Sequence, residues 1–371
     1  MNNIESPQPN MFACQGTFRS AEGGCFVTVT ARLSVCLTTK LIIPEMAYFY
    51  SENESMLTLS NGAIPPLPKG RRGLLRLAAS CLSLAYAIER FIMKLGLSMW
   101  SYAATHRRGE LDIPGFIQEA KRLGVQGVEL LDFFWRDLPA EMPGVQAALQ
   151  DTGLEVGVYS VANDFIFAHE SERAAQVHKI RDGVDMAVRF GAKTVRVFGG
   201  DVTPAFSYEQ CLHWIIEGLT DAARYAYDQG VTLALENHGR LAGRSDQVET
   251  ILDAVASPAL KANPDTGNFL LVHQPSHVAV AALAPRAAMC HFKDFKVVPD
   301  DYQGLTYTGI EGLKFAGTAI GEGEVDLADC VTALRRAGFD GWLNIEYEGA
   351  EDPFSAVSRS VEYTRRLLQT A

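Results

Sequence analysis

Glu236, Asp265, His291 and Glu346 are the residues whose types and spacing could do chemistry together. Each stands where an apolar run turns polar, in VTLALENHG, LKANPDTGN, AAMCHFKDF and WLNIEYEG. Three carboxylates and one imidazole form a ligand set for a single divalent cation. Hard oxygen donors with one nitrogen suit manganese, magnesium or cobalt better than a structural zinc, which prefers sulfur and nitrogen. Any one of the four alone would read as an ordinary surface or capping residue. Their matching positions on four successive strand ends argue for one shared site.

Those strand ends must converge, and the chain between them shows how. From Met93 onward, apolar strand-like runs recur at KLGLSMW, GVQGVELL, LEVGVYSV, TVRVFGG, VTLALEN, LKANPD, AAMCHFK and WLNIEYE. Helical patterns lie between them. IPGFIQEAKRLG has apolar residues at helical spacing and stops at Gly124, a C-terminal signal. Longer patterns stop at Gly191, Gly230 and Gly338, and SAVSRSVEYTRRLLQ closes the chain. Eight alternations predict an α/β fold, a (β/α)8 TIM barrel over residues 93–371, rather than a doubly wound sheet. In such a barrel the C-terminal strand ends meet at one mouth. The stretch from Lys296 to Glu324 is long for a barrel loop and is expected to serve as a lid or substrate wall.

Residues 1–92 differ in composition. All eight His and all four Trp follow residue 92, whereas four of the seven Cys precede it. Eight Lys and Arg against six acidic residues there leave 25 against 38 in the remainder. No sustained helical or strand period runs through this part, so a largely disordered N-terminal extension is expected, with the working protein beginning at Met93. KGRRGLLRLAASCLSLAYA resembles an export signal. However, it lies deep in the chain, Arg76 interrupts it, and it is short of the roughly 20 residues of a membrane span.

The whole chain has 371 residues, 47% hydrophobic and 21% charged, with a net charge of −11. That charge disfavours a nucleic-acid surface. The cysteines lack the close pairing of a zinc ribbon or disulfide framework, so a cytoplasmic setting is expected. Neither GxGxxG nor GxxxxGK[ST] occurs where a nucleotide-phosphate loop would need it.

LALENHG, NPDTGN, CHFKDF, GEGEVD and GFDGWLNIEYEG together give residues 93–371 a resemblance to the xylose isomerase-like sugar phosphate isomerase/epimerase superfamily. That resemblance implies that Glu236, Asp265, His291 and Glu346 hold one divalent metal, manganese first, with magnesium, cobalt or zinc as alternatives. It implies a small sugar or keto-sugar substrate, and a homo-oligomer. No nucleic-acid or membrane partner is expected; endonuclease IV shares the barrel but needs further ligands for three zincs. Two places depart from the ketose 3-epimerases. Asn268 stands where they carry a His, and Arg240, Ala242 and Arg244 follow Glu236 where they place a second substrate-binding Glu.

A metal polarising a ketone would acidify the neighbouring C–H and stabilise an enediolate. Glu236 and Glu346 are the expected proton carriers. His238, two residues after Glu236, is a third candidate acid/base, or else a support. Lys293, two residues after His291, should point into the mouth and contact a substrate oxygen, or else pair with a glutamate. Asn268, Arg240 and Trp100 complete the expected substrate contacts, Trp100 by stacking. Asp294 is expected to be structural. The same site supports two outcomes: isomerisation or epimerisation, and elimination of the inosose-dehydratase or 3-keto-glycoside type.

Overall fold

Eight short strands, each an apolar run buried on both faces, form one parallel sheet in a computed structural model of the chain. They are β1 (Lys94–Ser98), β2 (Gly127–Leu131), β3 (Glu155–Ser160), β4 (Thr194–Val197), β5 (Thr232–Glu236), β6 (Leu260–Asn263), β7 (Met289–Phe292) and β8 (Trp342–Ile345). The sheet order is β6-β5-β4-β3-β2-β1-β8-β7, parallel throughout. The seam between β6 and β7 carries single bridges at Ala262–Ala287 and Asp265–His291, which nearly close a TIM barrel. Continuous burial explains why these strands read as apolar runs rather than as alternating ones.

The structure describes residues 93–370 and, upstream, two antiparallel strand pairs. Met11–Arg19 pairs with Phe26–Ser34, and Thr58–Leu59 with Gly62–Ala63. The sequence reading did not anticipate these strands. The expected disorder of the extension and the start at Met93 fall outside the described residues. The chain divides into two units, Met1–Ala79 and Ser80–Ala371.

Helices follow the strands in turn: α1 (Ile113–Leu123), α2 (Leu138–Thr152), α3 (Glu170–Phe190), α4 (Tyr208–Asp228), α5 (Ser245–Val255), α6 (Ser276–Leu283), α7 (Leu327–Arg336) and α8 (Pro353–Thr370). The Asp112 carboxylate caps the start of α1, and Gly124 ends it at φ 71°, a left-handed conformation that glycine adopts without a Cβ clash. Outward strand residues such as Leu97, Val195, Leu235 and Leu343 are fully buried under this helical layer. None of the described helices is long and apolar enough to cross a membrane.

Inside the barrel the two ends differ. Val158, Ala234, Met289 and Trp342 form a small apolar cluster towards the strand starts. The Trp342 ring lies where side chains on β2 and β3 would otherwise be: a Cβ on Gly127 would meet it at 2.5 Å and one on Gly157 at 2.3 Å. The glycines of GVQGVELL and LEVGVYSV therefore make room for a tryptophan on a distant strand. The buried charged groups gather at the opposite end, and at the strand starts the exposed Lys94–Glu155 pair lies over Trp342.

The long stretch after β7 folds into its own antiparallel sheet of Phe295–Val298, Lys314–Gly317 and Tyr307–Thr308. Asp294 closes it. Its carboxylate accepts the N–H groups of Gly321 and Gly323 at 2.9 Å each and of Val325 at 3.1 Å. The GEGEVD segment is thus the return clamp of this excursion, and Asp294 has the structural role expected of it.

Gly157→Ala should lower stability by about 1–3 kcal/mol, because the added methyl collides with a packed aromatic ring. Gly144→Ala, inside α2 with only Pro114 Cγ at 3.7 Å from the added carbon, should be neutral or stabilising. Urea unfolding of both variants checks the contrast; equal losses would contradict the packing of the barrel floor.

Candidate metal centre

Glu236 is the last residue of β5, Asp265 lies two residues beyond β6, His291 is within β7 and Glu346 follows β8 directly. All four side chains reach the C-terminal mouth and are buried. His291 Nδ1 lies 3.1 Å from Glu236 Oε2, 3.7 Å from Glu346 Oε1 and 3.8 Å from Asp265 Oδ2. Ligand atoms of Glu236, Asp265 and His291 sit within 4.8 Å of one another. Glu346 stands at the edge of that group, its carboxylate turned to Lys293 Nζ at 2.5 Å.

The other imidazole nitrogen decides the orientation. His291 Nε2 meets Glu129 Oε1 at 3.1 Å and Oε2 at 2.9 Å. A carboxylate on Nε2 makes that nitrogen the donor and leaves Nδ1 facing the mouth. His291 Nδ1 is buried with Glu236 Oε2 as its nearest partner, and Asp265 Oδ2 is buried with the Lys293 ammonium at 2.9 Å.

The charge count points the same way. Glu129, Glu236, Asp265, Glu346 and Glu348 face only two fixed cations, Arg196 and Lys293. Even with His291 protonated, two negative charges are unmatched in a buried space, and uncompensated burial costs on the order of several kcal/mol per ion. These donors therefore fit one divalent metal, held by Glu236, Asp265 and His291 with Glu346 beside them.

The titration directions express the same imbalance. Burial pushes Glu346 up to about 8, against the pull of His291 and Lys293. Asp265 is also raised by burial. Burial alone would raise Glu236 too, but His291 and Arg196 outweigh it and hold this carboxyl far below the usual range. For His291, burial disfavours the cation, yet Glu129, Glu346 and Glu236 raise it well above its ordinary value.

Several supports were not singled out from the sequence. Glu129 lies in GVELL and is held by Asn344 Nδ2 at 2.8 Å and by the Ser160 hydroxyl. Arg196, in TVRV, pairs with Glu236 at 3.3 Å and donates to the Val161 carbonyl at 3.1 Å. Asn263 donates to Glu236 at 3.2 Å and accepts the His291 N–H at 2.9 Å. The available signal was a lone charge inside an apolar strand, since a fully buried ionised group needs a partner.

The remaining predicted residues divide. Lys293 is central, pairing with Asp265, Glu346 and, at 3.3 Å, Glu348. Trp100 Nε1 donates to Glu348. Asn268, expected at the substrate, instead gives its Nδ2 to Glu236 at 3.2 Å and to the Asn237 carbonyl at 3.1 Å, which makes it a support for Glu236. His238 is exposed at the rim against Phe198, ring centroids 4.6 Å apart. Arg240 is exposed too; its backbone N–H donates to Asp201, and its side chain has no ion pair or hydrogen bond among the described residues. Neither joins the buried cluster.

A family profile described as "Xylose isomerase-like TIM barrel" matches residues 117–367. An inosose dehydratase of Geobacillus thermodenitrificans is 23% identical over 70% of this chain and 89% of its own length. A 3-oxo-isoapionate decarboxylase of Pectobacterium atrosepticum is 22% identical over 58% of this chain and 74% of its own. The L-ribulose-5-phosphate 3-epimerase UlaE of Escherichia coli is 23% identical over 60% of this chain and 76% of its own. Among solved structures, a xylose isomerase-like TIM barrel protein from Mycobacterium smegmatis in complex with magnesium superposes with a TM-score of 0.58 at 17% identity, covering 76% of this chain and 98% of its own. An IOLI protein with a bound zinc atom reaches 0.61 at 16%, covering 75% and 98%. At these identities the structural likeness establishes the fold.

Two outcomes follow for metal binding. Protons held on His291 and Glu346 in the metal-free protein must leave when a cation enters, so affinity should rise with pH, by at least about tenfold from pH 6 to pH 8. Manganese titrations by calorimetry at both values check this; equal affinities would contradict it. Glu129→Gln, which removes the carboxylate behind His291, should weaken the metal about 10–100-fold.

Proposed function

The chain belongs to the xylose isomerase-like TIM barrel family, and from that premise we propose that it is a divalent-metal-dependent isomerase or epimerase of a sugar or keto-sugar. The observation that carries this reading is the unequal setting of two glutamates around one histidine. Glu236 is tied down by Arg196, Asn263, Asn268 and His291, and stays ionised. Glu346 has Lys293 as its close partner at 2.5 Å and is held by fewer groups, so its carboxylate is the freer of the two to move a proton.

In this reading Glu236, Asp265, His291 and Glu346 hold the metal. Bound there, it would polarise a ketone oxygen as a Lewis acid. Glu346 takes a proton from the carbon beside that ketone. Lys293, ionised between Asp265, Glu346 and Glu348, is placed to donate to a substrate oxygen where negative charge develops. Glu346 itself returns the proton to the neighbouring carbon in an isomerisation, inversion would need Glu236 to be protonated on the other side, and His238 can exchange the proton at the rim. Trp100 and Glu348 contribute one wall, and the antiparallel excursion with Tyr307 another. Manganese is the proposed metal; magnesium and zinc in the two solved relatives keep those ions in view. A cytoplasmic homo-oligomer without nucleic-acid or membrane partners completes the proposal, and Arg240 would meet substrate only from the rim.

A second reading has its own support. Dehydration and decarboxylation beside a ketone pass through the same kind of enolate as epimerisation, and relatives named for all three reactions match this chain. One free base is sufficient for a lyase, whereas inversion at a carbon needs a carrier on each face. The tethering of Glu236 therefore favours a lyase as the alternative, of the inosose-dehydratase or 3-keto-glycoside type.

Proton NMR in heavy water, with the magnesium-loaded protein and a panel of ketoses, inososes and 3-keto-glycosides, separates the two. Deuterium appearing beside the ketone with a new isomer supports the first reading; exchange with a released group supports the lyase. Glu346→Gln should slow the exchange at least about 100-fold while far-UV circular dichroism is unchanged. Undiminished exchange would remove Glu346 from the chemistry.

A further inference from the structure

The loops after β1 and β2 line an open cavity of about 390 Å³ formed by His106, Arg107, Arg108, Phe133, Phe134 and Arg136, with Gly109 at its edge. Three of these side chains are guanidinium groups and none is a carboxylate, in a chain whose net charge is −11. We propose that this cavity binds the phosphate group of a phosphorylated keto-sugar whose reacting carbon lies at the metal centre; the substrate half of this proposal rests on the isomerase or lyase reading above.

The guanidinium groups are not equally engaged. Arg108 makes two bonds to Glu110, at 2.8 and 2.7 Å. Arg136 gives one Nη2 bond to the His106 carbonyl at 2.7 Å. Arg107 has no ion pair or side-chain hydrogen bond among the described residues; its guanidinium lies 5.1 Å above the Trp100 ring. Arg107 and the rest of Arg136 thus retain free N–H donors, and the planar fork of arginine suits a phosphate with several oxygens to satisfy.

The walls are built before any ligand arrives. His106 is buried, with Nδ1 2.8 Å from the Leu111 carbonyl and Nε2 3.0 Å from the Phe134 carbonyl, so one ring joins the two loops. Phe134 packs on Trp100 with centroids 6.3 Å apart, and Phe133 meets Trp100 edge-on at 5.7 Å. Trp100 is the link to the chemistry. Arg107 covers its ring, and its Nε1 donates to Glu348, which pairs with Lys293. Trp100, Glu348 and Lys293 in turn therefore connect the arginine cavity to the centre, an arrangement suited to a substrate held by its phosphate at one end and transformed at the other.

Isothermal titration of the full chain with inorganic phosphate tests the cavity without any need for turnover. Measurable binding to the wild type is expected, at least tenfold weaker in Arg107→Gln, partly restored in Arg107→Lys and unchanged in Arg189→Gln, an exposed arginine of α3. Absence of phosphate binding, or equal affinities in the wild type and Arg107→Gln, would overturn the site. A ketopentose 5-phosphate titrated alongside identifies the source. Binding at least tenfold tighter than both inorganic phosphate and the unphosphorylated ketose, with that advantage lost in Arg107→Gln, places the phosphate on the substrate. Binding no tighter than inorganic phosphate overturns the substrate half and leaves a site for free anion. Failure of every ketone to exchange deuterium would defeat the catalytic reading while leaving the phosphate titration intact, so the two are distinguishable.

Discussion

Burying an imidazole among carboxylates is the constraint on which the rest of this barrel depends. His291 is closed in by Glu129 on one nitrogen and by Glu236, Asp265 and Glu346 on the other. Carboxylates removed from water repel one another strongly, and each must be matched by a cation, a metal or a proton. Arg196 and Lys293 meet part of that demand. Asn263, Asn268 and Asn344 hold individual oxygens with neutral donors. The remainder is the electrostatic case for a divalent cation.

The division of the barrel interior follows from this. A charged cluster shielded from water is tolerable only where the surrounding structure fixes its geometry and supplies partners for its charges. Trp342 and the glycines beneath it close the strand-start end with apolar material. The charged end is left to the loops, where the Asp294 clamp keeps the antiparallel excursion in place. Packing at one end and polar satisfaction at the other are thus parts of one design, in which strands deliver functional groups at their C-terminal ends.

The barrel and the four principal residues were legible in the sequence because both depend on repetition. Eight apolar runs alternate with helical patterns, and a carboxylate or imidazole at four consecutive run ends is hard to attribute to ordinary capping. The supports were not legible because each is a single departure inside a run. Glu129 in GVELL and Arg196 in TVRV read locally as flaws in a strand, and only closure of the barrel shows that both face His291 and Glu236. Asn268 shows a related limit: spacing from Asp265 predicts its position, but not that its amide turns to Glu236. His238 and Arg240 sit one short step beyond the strand end, where extended geometry stops and alternation no longer predicts direction. The arginine cavity joins Arg107 to Arg136 through a histidine between two loops, a proximity without local sequence signature.

The same asymmetry that marks Glu346 also explains how one centre could serve different reactions. Removing a proton beside a metal-polarised ketone is a common first step, and the fate of the resulting enolate depends on what stands around it. A second carrier on the far face gives inversion; a leaving group aligned with the enolate gives elimination. Here Glu236 is restrained by four partners, and Lys293, Glu348 and Trp100 form a second linked group that leads from the centre to the walls beyond. On the proposed reading, selectivity would lie less in the residues that hold the metal than in the loops after β1, β2 and β7. Those loops can vary without disturbing the buried charges, because the cluster is satisfied almost entirely by residues on strands and at strand ends. Fixing the charge problem once, inside the barrel, is what leaves the mouth free to specify the substrate.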